Sequence, residues 1–495
     1  MKNIREMLSE LQYEVVRGQI GDAEEITELV FDSRKVTKGC MFVCVKGAVF
    51  DGHSKAAEAV GKGARVLVTE HDVEVPVTAD VIVVRTADTR YALAFLSAAY
   101  FDHPTRHLKT IGITGTKGKT TTTYLVKSIL ETAGHRVGLI GTIEAIIGDE
   151  RVPAENTTPE SFAIQEYFAK MVAAGLDTVV MEVSSQGLMQ HRTQGFVFDY
   201  GIFTNIEPDH IGPNEHRDFE DYMHCKGLLF KQCRIGIANG DDAHYRKVVE
   251  GHTCKLETFG FGASCDLRAE DVKLVRDGGK LGVSFAVKGL MDLKAEVATP
   301  GTFSVYNALT AIAICRHFGV SNEDIQRALL SAHVKGRIEP VKVSDEFTLL
   351  IDYAHNAMAL ESLLKTLRAY DPGRLVCLFG CGGNRSKLRR YEMGEVSGKL
   401  ADLTIITSDN PRDEEPQAII DDIKIGMAKT TGAYVEIPDR KEAIRYAIEH
   451  GQPGDIVILA GKGHEDYQEI KGKKYPMDER VLIADILKEM GRTFA

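Results

Sequence analysis

Most of this chain repeats one pattern. A short apolar run gives way to glycine or polar residues, and then to a stretch whose apolar positions recur three and four apart. Residues 41–45, 65–69 and 81–85 are such runs, and 54–61 is a helical stretch between them. The runs 110–113, 178–183 and 200–203 follow, and then 375–379, 403–407 and 456–460. Strands that alternate with helices predict parallel sheets and an α/β fold. Residues 254–300 differ: short alternating runs such as 281–287, with Asp277-Gly-Gly at a turn, predict an antiparallel excursion on the domain that precedes it. Residues 307–318 predict a helical return, and His103-Pro-Thr-Arg106 a linker. The chain therefore divides into 1–107, 108–335 and 336–495, with no repeat of fixed period.

One stretch organises the middle segment. In Gly112-Ile-Thr-Gly-Thr-Lys-Gly-Lys-Thr-Thr-Thr122 an apolar run leads in, and Leu125, Val126, Ile129 and Leu130 mark a helix after it. Strand, glycine loop and helix is the setting of a phosphate-binding loop. Gly115 and Gly118 let the backbone turn its N–H groups toward a phosphate. Lys119 reaches the outer phosphates, and the Thr120 hydroxyl can hold Mg²⁺. The strict pattern has glycine where this chain has Ile113, so the loop is a shorter variant. A plain glycine-rich turn is the alternative, and Gly-Lys-Thr after a strand argues against it.

Composition narrows the class. At 495 residues the chain is too long for one core. Its 44% hydrophobic and 26% charged residues are ordinary for a globular protein. A net charge of −11 argues against nonspecific nucleic-acid binding. Nine scattered cysteines predict reduced thiols in a cytoplasmic protein, and their spacing is not that of a zinc site. No apolar run reaches the roughly 20 residues of a membrane span. The first eight residues predict an amphipathic helix and not a signal peptide.

In a parallel sheet, ligands gather beyond the carboxyl ends of strands. That places Glu182 and His210, which follow two strands, near the phosphates. The third segment has three strands ending in polar runs: Gly380-Cys-Gly-Gly-Asn-Arg385, Asp409-Asn-Pro-Arg412 and Gly461-Lys-Gly-His-Glu465. One such run is a loop; three predict a single site at the switch point of a second doubly wound sheet.

Six motifs in order carry a resemblance. They are Thr114-Gly-Thr-Lys-Gly-Lys-Thr120, Asn156-Thr-Thr-Pro159, Met181-Glu-Val-Ser-Ser185, Asp352-Tyr-Ala-His355, Asp409-Asn-Pro-Arg412 and Gly461-Lys-Gly-His-Glu465. Over essentially the full chain they resemble the Mur ligases of peptidoglycan synthesis, most nearly the members that add meso-diaminopimelate. The resemblance implies a small N-terminal α/β domain that binds UDP, a central P-loop ATPase sheet domain and a C-terminal Rossmann-like domain that binds the amino acid. It implies that ATP phosphorylates the D-glutamate carboxylate of UDP-N-acetylmuramoyl-L-alanyl-D-glutamate, and that the amine of meso-diaminopimelate attacks the acyl phosphate. The partners implied are these small molecules, for a cytoplasmic monomer with no membrane span.

Site residues follow from the same resemblance. Lys119, Glu182, His210 and Lys226 are placed in the reaction. Mg²⁺ falls to Thr120, Glu182, His210 and Lys226, the last as N6-carboxylysine. ATP falls to Thr114, Gly115, Thr116, Lys117, Gly118, Lys119 and Thr120, with Asn307, Arg337 and Asp352 around its base and ribose. Ser33 and Arg34 match contacts to uridine. Asn156, Thr157, Thr158, Ser184, Gln190 and Arg192 match those to the muramoyl dipeptide. Arg385, Asp409, Asn410, Pro411, Arg412, Gly461 and Glu465 match those to diaminopimelate. Read alone, His210 could be a satisfied structural histidine, Lys226 a surface lysine, and Asp32-Ser-Arg34 and Arg412 parts of surface turns. The chain departs from the pattern at Lys117, Gln186 and Ala357-Met358, and its stretch from Asp209 to His216 is longer.

Two other readings stand beside this one. A different ligase of the same reaction type would not need Asp409-Asn-Pro-Arg412 or Asp32-Ser-Arg34. A P-loop switch that makes no bond would not need three polar strand ends in a further domain.

Overall fold

The structure is a computed structural model, and it describes residues 1–47, 50–213, 215–277 and 280–492. The chain forms two compact units. One is Met1–Arg268 with Leu309–Ser321; the other is Ala269–Ala308 with Asn322–Ala495.

The first unit begins with a five-stranded sheet, ordered Glu14–Arg17, Ile82–Arg85, Val66–Thr69, Met41–Val43, Leu29–Val30. The last four strands are parallel, as their continuous apolar runs require. Helix Thr89–Tyr100 covers one face, and the Asp88 side chain caps it by accepting from the Tyr91 N–H at 2.8 Å. The expected N-terminal helix is shorter than its pattern. Lys2–Asn3 pairs with Glu25–Ile26, and only Ile4–Leu8 is helical.

The unit's larger sheet has a parallel run in the order Val137–Ile140, Thr178–Glu182, Lys109–Thr114, Phe198–Phe203, Cys233–Asn239, Lys255–Gly260. The first strand in sequence therefore lies inside the sheet, with Thr178–Glu182 on one side and Phe198–Phe203 on the other. Chain order reverses there, and the phosphate loop leaves from that strand. Helix Lys119–Thr132 follows, and Leu125, Val126, Ile129 and Leu130 are buried as their spacing predicts.

Residues 254–300 need a correction. Lys255–Gly260 is parallel to Cys233–Asn239, with Ile237 opposite Glu257. Its alternation has another cause: Glu257 is buried because it meets Arg316 and lies 3.0 Å from His317. The antiparallel part is Lys280–Gly289 with Leu293–Val297. From Ala269 the chain belongs to the second unit. Gly278 and Gly279 of the expected turn lie outside the described residues.

The second unit holds a six-stranded sheet, ordered Glu339–Val341, Thr348–Asp352, Ile456–Ala460, Leu375–Phe379, Leu403–Ile406, Ala433–Glu436. All but the first are parallel. Alternate residues feed two cores. Cys377, Phe379 and Ile458 face helices Ala357–Arg368, Lys387–Leu400 and Pro416–Met427. Val376, Leu378 and Val457 face Arg440–Glu449 and Glu479–Glu489. The sheet is doubly wound, and its five parallel strands send their carboxyl ends to one side.

Gly112 shows how tightly the loop-bearing strand is packed. A Cβ there would meet the Phe198 ring at 2.8 Å, and Phe198 is itself wedged edge-on against Phe196. Gly112→Ala is expected to lower unfolding free energy by about 1–3 kcal/mol through overpacking. Denaturant titration of the two proteins checks this; equal midpoints would refute it.

Candidate active site

The phosphate loop is held by its neighbours before any ligand arrives. Gly115 lies at φ +152°, and a Cβ on it would collide with the Thr204 hydroxyl. Asn205 clamps the loop tip: its Oδ1 accepts from the Lys117 N–H at 2.9 Å, and its Nδ2 donates to the Lys117 carbonyl at 3.0 Å. Lys117 itself pairs with Glu207 at 2.6 Å. The loop thus has a side-chain cap from a different strand end. Lys119 Nζ folds back to donate to the carbonyls of Gly115 and Thr116, at 2.8 and 3.1 Å. Helix Lys119–Thr132 opens with N–H groups toward the loop, its macrodipole adding positive potential where phosphates bind.

Beside the loop, Glu182 is buried at the end of its strand. It accepts from the Thr120 hydroxyl at 3.0 Å, from the Thr142 N–H at 2.9 Å and from the Thr142 hydroxyl at 3.0 Å. Lys226 is not a surface lysine: 1% of it is exposed. Its Nζ donates to the Gly115 carbonyl at 2.9 Å and lies 4.4 Å from the centre of the Tyr222 ring. Burial, reinforced by nearby Lys119, pushes its amine well below the usual lysine range.

His210 stands differently. It is half exposed, at φ +53°, with Nδ1 3.3 Å from Glu215 and its ring packed near Tyr222. Its imidazole makes no hydrogen bond to Thr120, Glu182 or Lys226.

His216, six residues on, is fully buried. Its Nε2 lies 2.8 Å from Ser185 Oγ and its Nδ1 3.2 Å from Asp221. Burial lowers its pKa against the pull of Asp221.

The residues expected to meet the muramoyl dipeptide fall around the same strand end. The Thr158 hydroxyl donates to the Glu182 carbonyl at 3.0 Å and accepts from the Ser184 N–H at 2.9 Å. Thr157 Oγ1 lies 3.1 Å from Thr142. Arg192 donates to the Thr158 carbonyl at 2.7 Å and pairs with Glu160 at 3.1 Å, a carboxylate that Arg90 shares. Gln190 closes helix Ser185–Met189, and Asn156 is exposed. On the N-terminal sheet, Ser33 lies in the turn Ser33–Lys35. Arg34 pairs with Asp32 at 2.7 Å, which holds that carboxyl at about 2.

In the second unit, four strand ends line one cavity of about 290 Å³. Arg385, Asp409, Asn410, Arg412, Gly461 and Glu465 all face it; Pro411 does not. Arg412 is fixed by Glu469 at Nε, 3.0 Å, and by the Gly383 carbonyl at Nη1, 2.8 Å. Asn410 Nδ2 donates to Glu465 at 3.0 Å. Asp352 spends its carboxylate on the backbone, accepting from Ile338 and Ala354 at 2.9 and 2.8 Å. Arg337 stacks over Tyr353, 5.0 Å from the ring centre. Asn307 lies in helix Thr302–Cys315, in the part of it that belongs to this unit.

Known proteins match in three consecutive blocks. The Mur ligase family, catalytic domain, matches residues 25–101. The Mur ligase middle domain matches 113–315, and the Mur ligase, glutamate ligase domain, matches 336–463. A UDP-N-acetylmuramoyl-L-alanyl-D-glutamate--2,6-diaminopimelate ligase of Caldanaerobacter subterraneus subsp. tengcongensis is 42% identical over 469 residues, covering 94% of this chain and 95% of that protein. The chain belongs to the Mur ligase family. A ligase of the same name from Clostridium acetobutylicum, numbered 1, is 40% identical over 491 residues, covering 98% and 99%. A solved structure of a UDP-N-acetylmuramoyl-L-alanyl-D-glutamate--2,6-diaminopimelate ligase superposes with TM-score 0.72 at 28% identity, covering 97% and 98%. The α/β fold is the three-domain architecture of the Mur ligases.

Several residues around this site were given no role by the motifs near them. Thr142 and Asn205 act from strand ends whose neighbourhood only the fold creates. Lys462 is fully buried, and its Nζ donates to Asn410 at 2.9 Å, to Glu465 at 2.7 Å and to the Tyr467 carbonyl at 2.5 Å. Arg390, also buried, grips Glu414 through both Nη atoms at 2.6 and 2.8 Å, which holds Glu414 at about 2. It thereby ties the Arg385 loop to the Arg412 loop. Position was the signal that could have found them: Asn205 and Lys462 lie in polar strand ends, and Arg390 in the helix that follows one.

The state of Lys226 has a measurable consequence. Between its lowered folded pKa and the unfolded value of about 10.4, the unfolded lysine is charged while the folded amine is neutral. The unfolded state then binds more protons, so stability rises with pH across that window. In buffer freed of carbon dioxide, Lys226→Met is expected to be more stable than wild type at neutral pH. The gap should close as pH climbs toward the ordinary lysine value. A gap independent of pH, in denaturant titrations, would contradict the neutral amine.

Proposed function

We propose that this Mur ligase adds meso-diaminopimelate to UDP-N-acetylmuramoyl-L-alanyl-D-glutamate, with ATP as the phosphoryl donor, in the cytoplasm and as a monomer. Its relatives carry that activity in their names. The observation that carries the substrate choice is the cavity of the second unit, where Arg385, Arg412 and the lysine-held Glu465 converge with further arginines.

A carboxylate is a poor electrophile until one oxygen becomes a leaving group. The terminal phosphoryl of ATP moves to the D-glutamate carboxylate, and ADP leaves. The amine of diaminopimelate then attacks the acyl carbon, an amide forms, and phosphate departs with a proton lost from nitrogen. Bringing two anions together needs cations more than covalent help. Lys119 exchanges its loop carbonyls for the outer phosphates. Thr157, Thr158, Ser184, Gln190, Arg192 and Asn156 hold the dipeptide beside Glu182, and Ser33 and Arg34 hold the uridine. Asn307, Arg337 and Asp352 receive the nucleoside of ATP.

Thr120, Glu182, Lys226 and His210 would hold Mg²⁺. The Thr120 and Glu182 oxygens already adjoin, and hydroxyl and carboxylate are the hard donors this ion takes. An ammonium at Lys226 would repel it. A neutral amine instead adds carbon dioxide, loses a proton and becomes a carbamate with two oxygens. When bound, the ion neutralises phosphate charge.

Meso-diaminopimelate differs from lysine by a carboxylate at its far end. Arg412 and Arg385 can take that carboxylate, and Glu465 and Asp409 the ammonium beside it. Lysine would leave the arginines unpaired and bring an ammonium toward them.

Two outcomes are expected. Lys119→Ala should abolish ligation while melting within a few degrees of wild type; near-normal amide formation would remove the loop from the reaction. Arg412→Ala should cut kcat/KM for meso-diaminopimelate by about a hundredfold or more, the scale of breaking a desolvated pair. Wild type should strongly prefer meso-diaminopimelate to L-lysine by product mass, and equal kcat/KM for the two would sink the specificity.

A further inference from the structure

Three segments that bear proposed Mg²⁺ ligands meet at one residue, two through its side chain and one through its backbone. His216 shows no exposed surface. Through Nε2 it reaches Ser185, three residues beyond Glu182, at 2.8 Å. Through Nδ1 it reaches Asp221 at 3.2 Å, on the helix Phe219–Gly227 that carries Lys226. Its backbone N–H donates to the His210 carbonyl at 3.0 Å, and its carbonyl accepts from Gly212 at 3.2 Å, closing the loop that carries His210. The ring also packs 5.1 Å from Tyr222, centre to centre. Tyr222 in turn lies under Lys226 and places its hydroxyl 3.1 Å from Thr116 of the phosphate loop.

With Nδ1 donating to the Asp221 carboxylate, Nε2 of the neutral ring accepts from the Ser185 hydroxyl. The line Ser185, His216, Asp221 is a closed polar chain with no donor left for a substrate. Its ring nitrogens are both occupied, and Ser185 is buried. The chain therefore acts on what it joins.

We propose that His216 is a positioning residue: it locks the Glu182 strand end, the His210 loop and the Lys226 helix in one register, so that the ligand set closes on a divalent cation and the Lys226 carbamate is retained. This inference rests on the assignment of Lys226 and Glu182 to Mg²⁺ made above. Groups that orient metal ligands typically carry about 10–100-fold of metal affinity or activity. Lys226 is five residues from Asp221, so a helix released at Asp221 moves the Lys226 stem with it.

The test uses the full chain with Mn²⁺ and ADP as the probe. Four variants are compared with wild type: His216→Ala, Ser185→Ala, His216→Asn and, as a control for assignment, Lys226→Ala. Asn retains a donor where Nδ1 stands and so keeps the Asp221 link. Electron paramagnetic resonance reads Mn²⁺ bound in the presence of ADP. Carbon-13 NMR in labelled bicarbonate reads the carbamate, assigned by its loss in Lys226→Ala. His216→Ala and Ser185→Ala are expected to bind Mn²⁺ with ADP about 10-fold more weakly or worse and to lose carbamate signal. Their kcat should fall by a similar factor, with KM for meso-diaminopimelate within about twofold of wild type. His216→Asn should recover part of the loss. Wild-type Mn²⁺ affinity and carbamate signal in folded Ser185→Ala and His216→Ala would overturn the proposal. If His216→Ala does not fold, Ser185→Ala alone decides it. A wild-type protein that forms amide but shows no carbamate overturns the Lys226 assignment, and this inference with it. A wild type that forms no amide at all fails the ligase reading instead.

Discussion

The first unit turns on a single carbonyl oxygen. Gly115 accepts from Lys119, at the start of the helix after the loop, and from Lys226, on a distant helix. A backbone carbonyl is a modest partner for two amines, and burial of Lys226 pushes its pKa well below the usual lysine range, which eases the conflict. Everything nearby follows from keeping that arrangement dry and ordered. Thr204 bars a side chain at Gly115, Asn205 grips the loop tip, and Tyr222 roofs the buried amine. The price appears as strand packing with no slack, most plainly where Gly112 meets Phe198.

The second unit solves a different problem, the precise placement of charges around an open cavity. Several of its side chains are held by partners of opposite charge or by backbone carbonyls. Lys462 fixes Glu465 and Asn410; Glu469 and the Gly383 carbonyl fix Arg412. Beneath them Arg440, almost fully buried, pairs with Glu479 at 2.8 Å and donates to the carbonyls of Ser408 and Ala460 at 3.1 Å each. Removing one member of such a pair leaves an uncompensated charge, at a cost of about 3–5 kcal/mol. The cavity's shape is thus written in ion pairs as much as in strand geometry.

Strand runs and glycine loops were legible in the sequence because both depend on local pattern. The strands Leu375–Phe379, Leu403–Ile406 and Ile456–Ala460 fall where their apolar runs lie, and the polar clusters after them line one cavity. What was not legible depends on contacts far apart in the chain. Lys226 on helical spacing alone is a surface lysine; only the loop more than a hundred residues earlier buries it. Lys255–Gly260 carries a buried Glu257 because Arg316 and His317 come back to meet it. Lys117 departs from the family pattern, and Asn205 supplies the cap from another strand, which no reading of the loop itself could reveal.

The carboxylate of Glu160 lies between two guanidiniums, 3.1 Å from Arg90 and 3.1 Å from Arg192. Burial also weakens the hold of Arg192 on its proton, and Glu160 restores part of it. An anion that arrives at Arg192 therefore finds no bare cation. It displaces a counter-ion already seated, and its gain is the difference between two ion pairs. Raw charge counts for little in such an exchange. What distinguishes one incoming anion from another is how well its oxygens match a fork whose orientation the Thr158 carbonyl has already set.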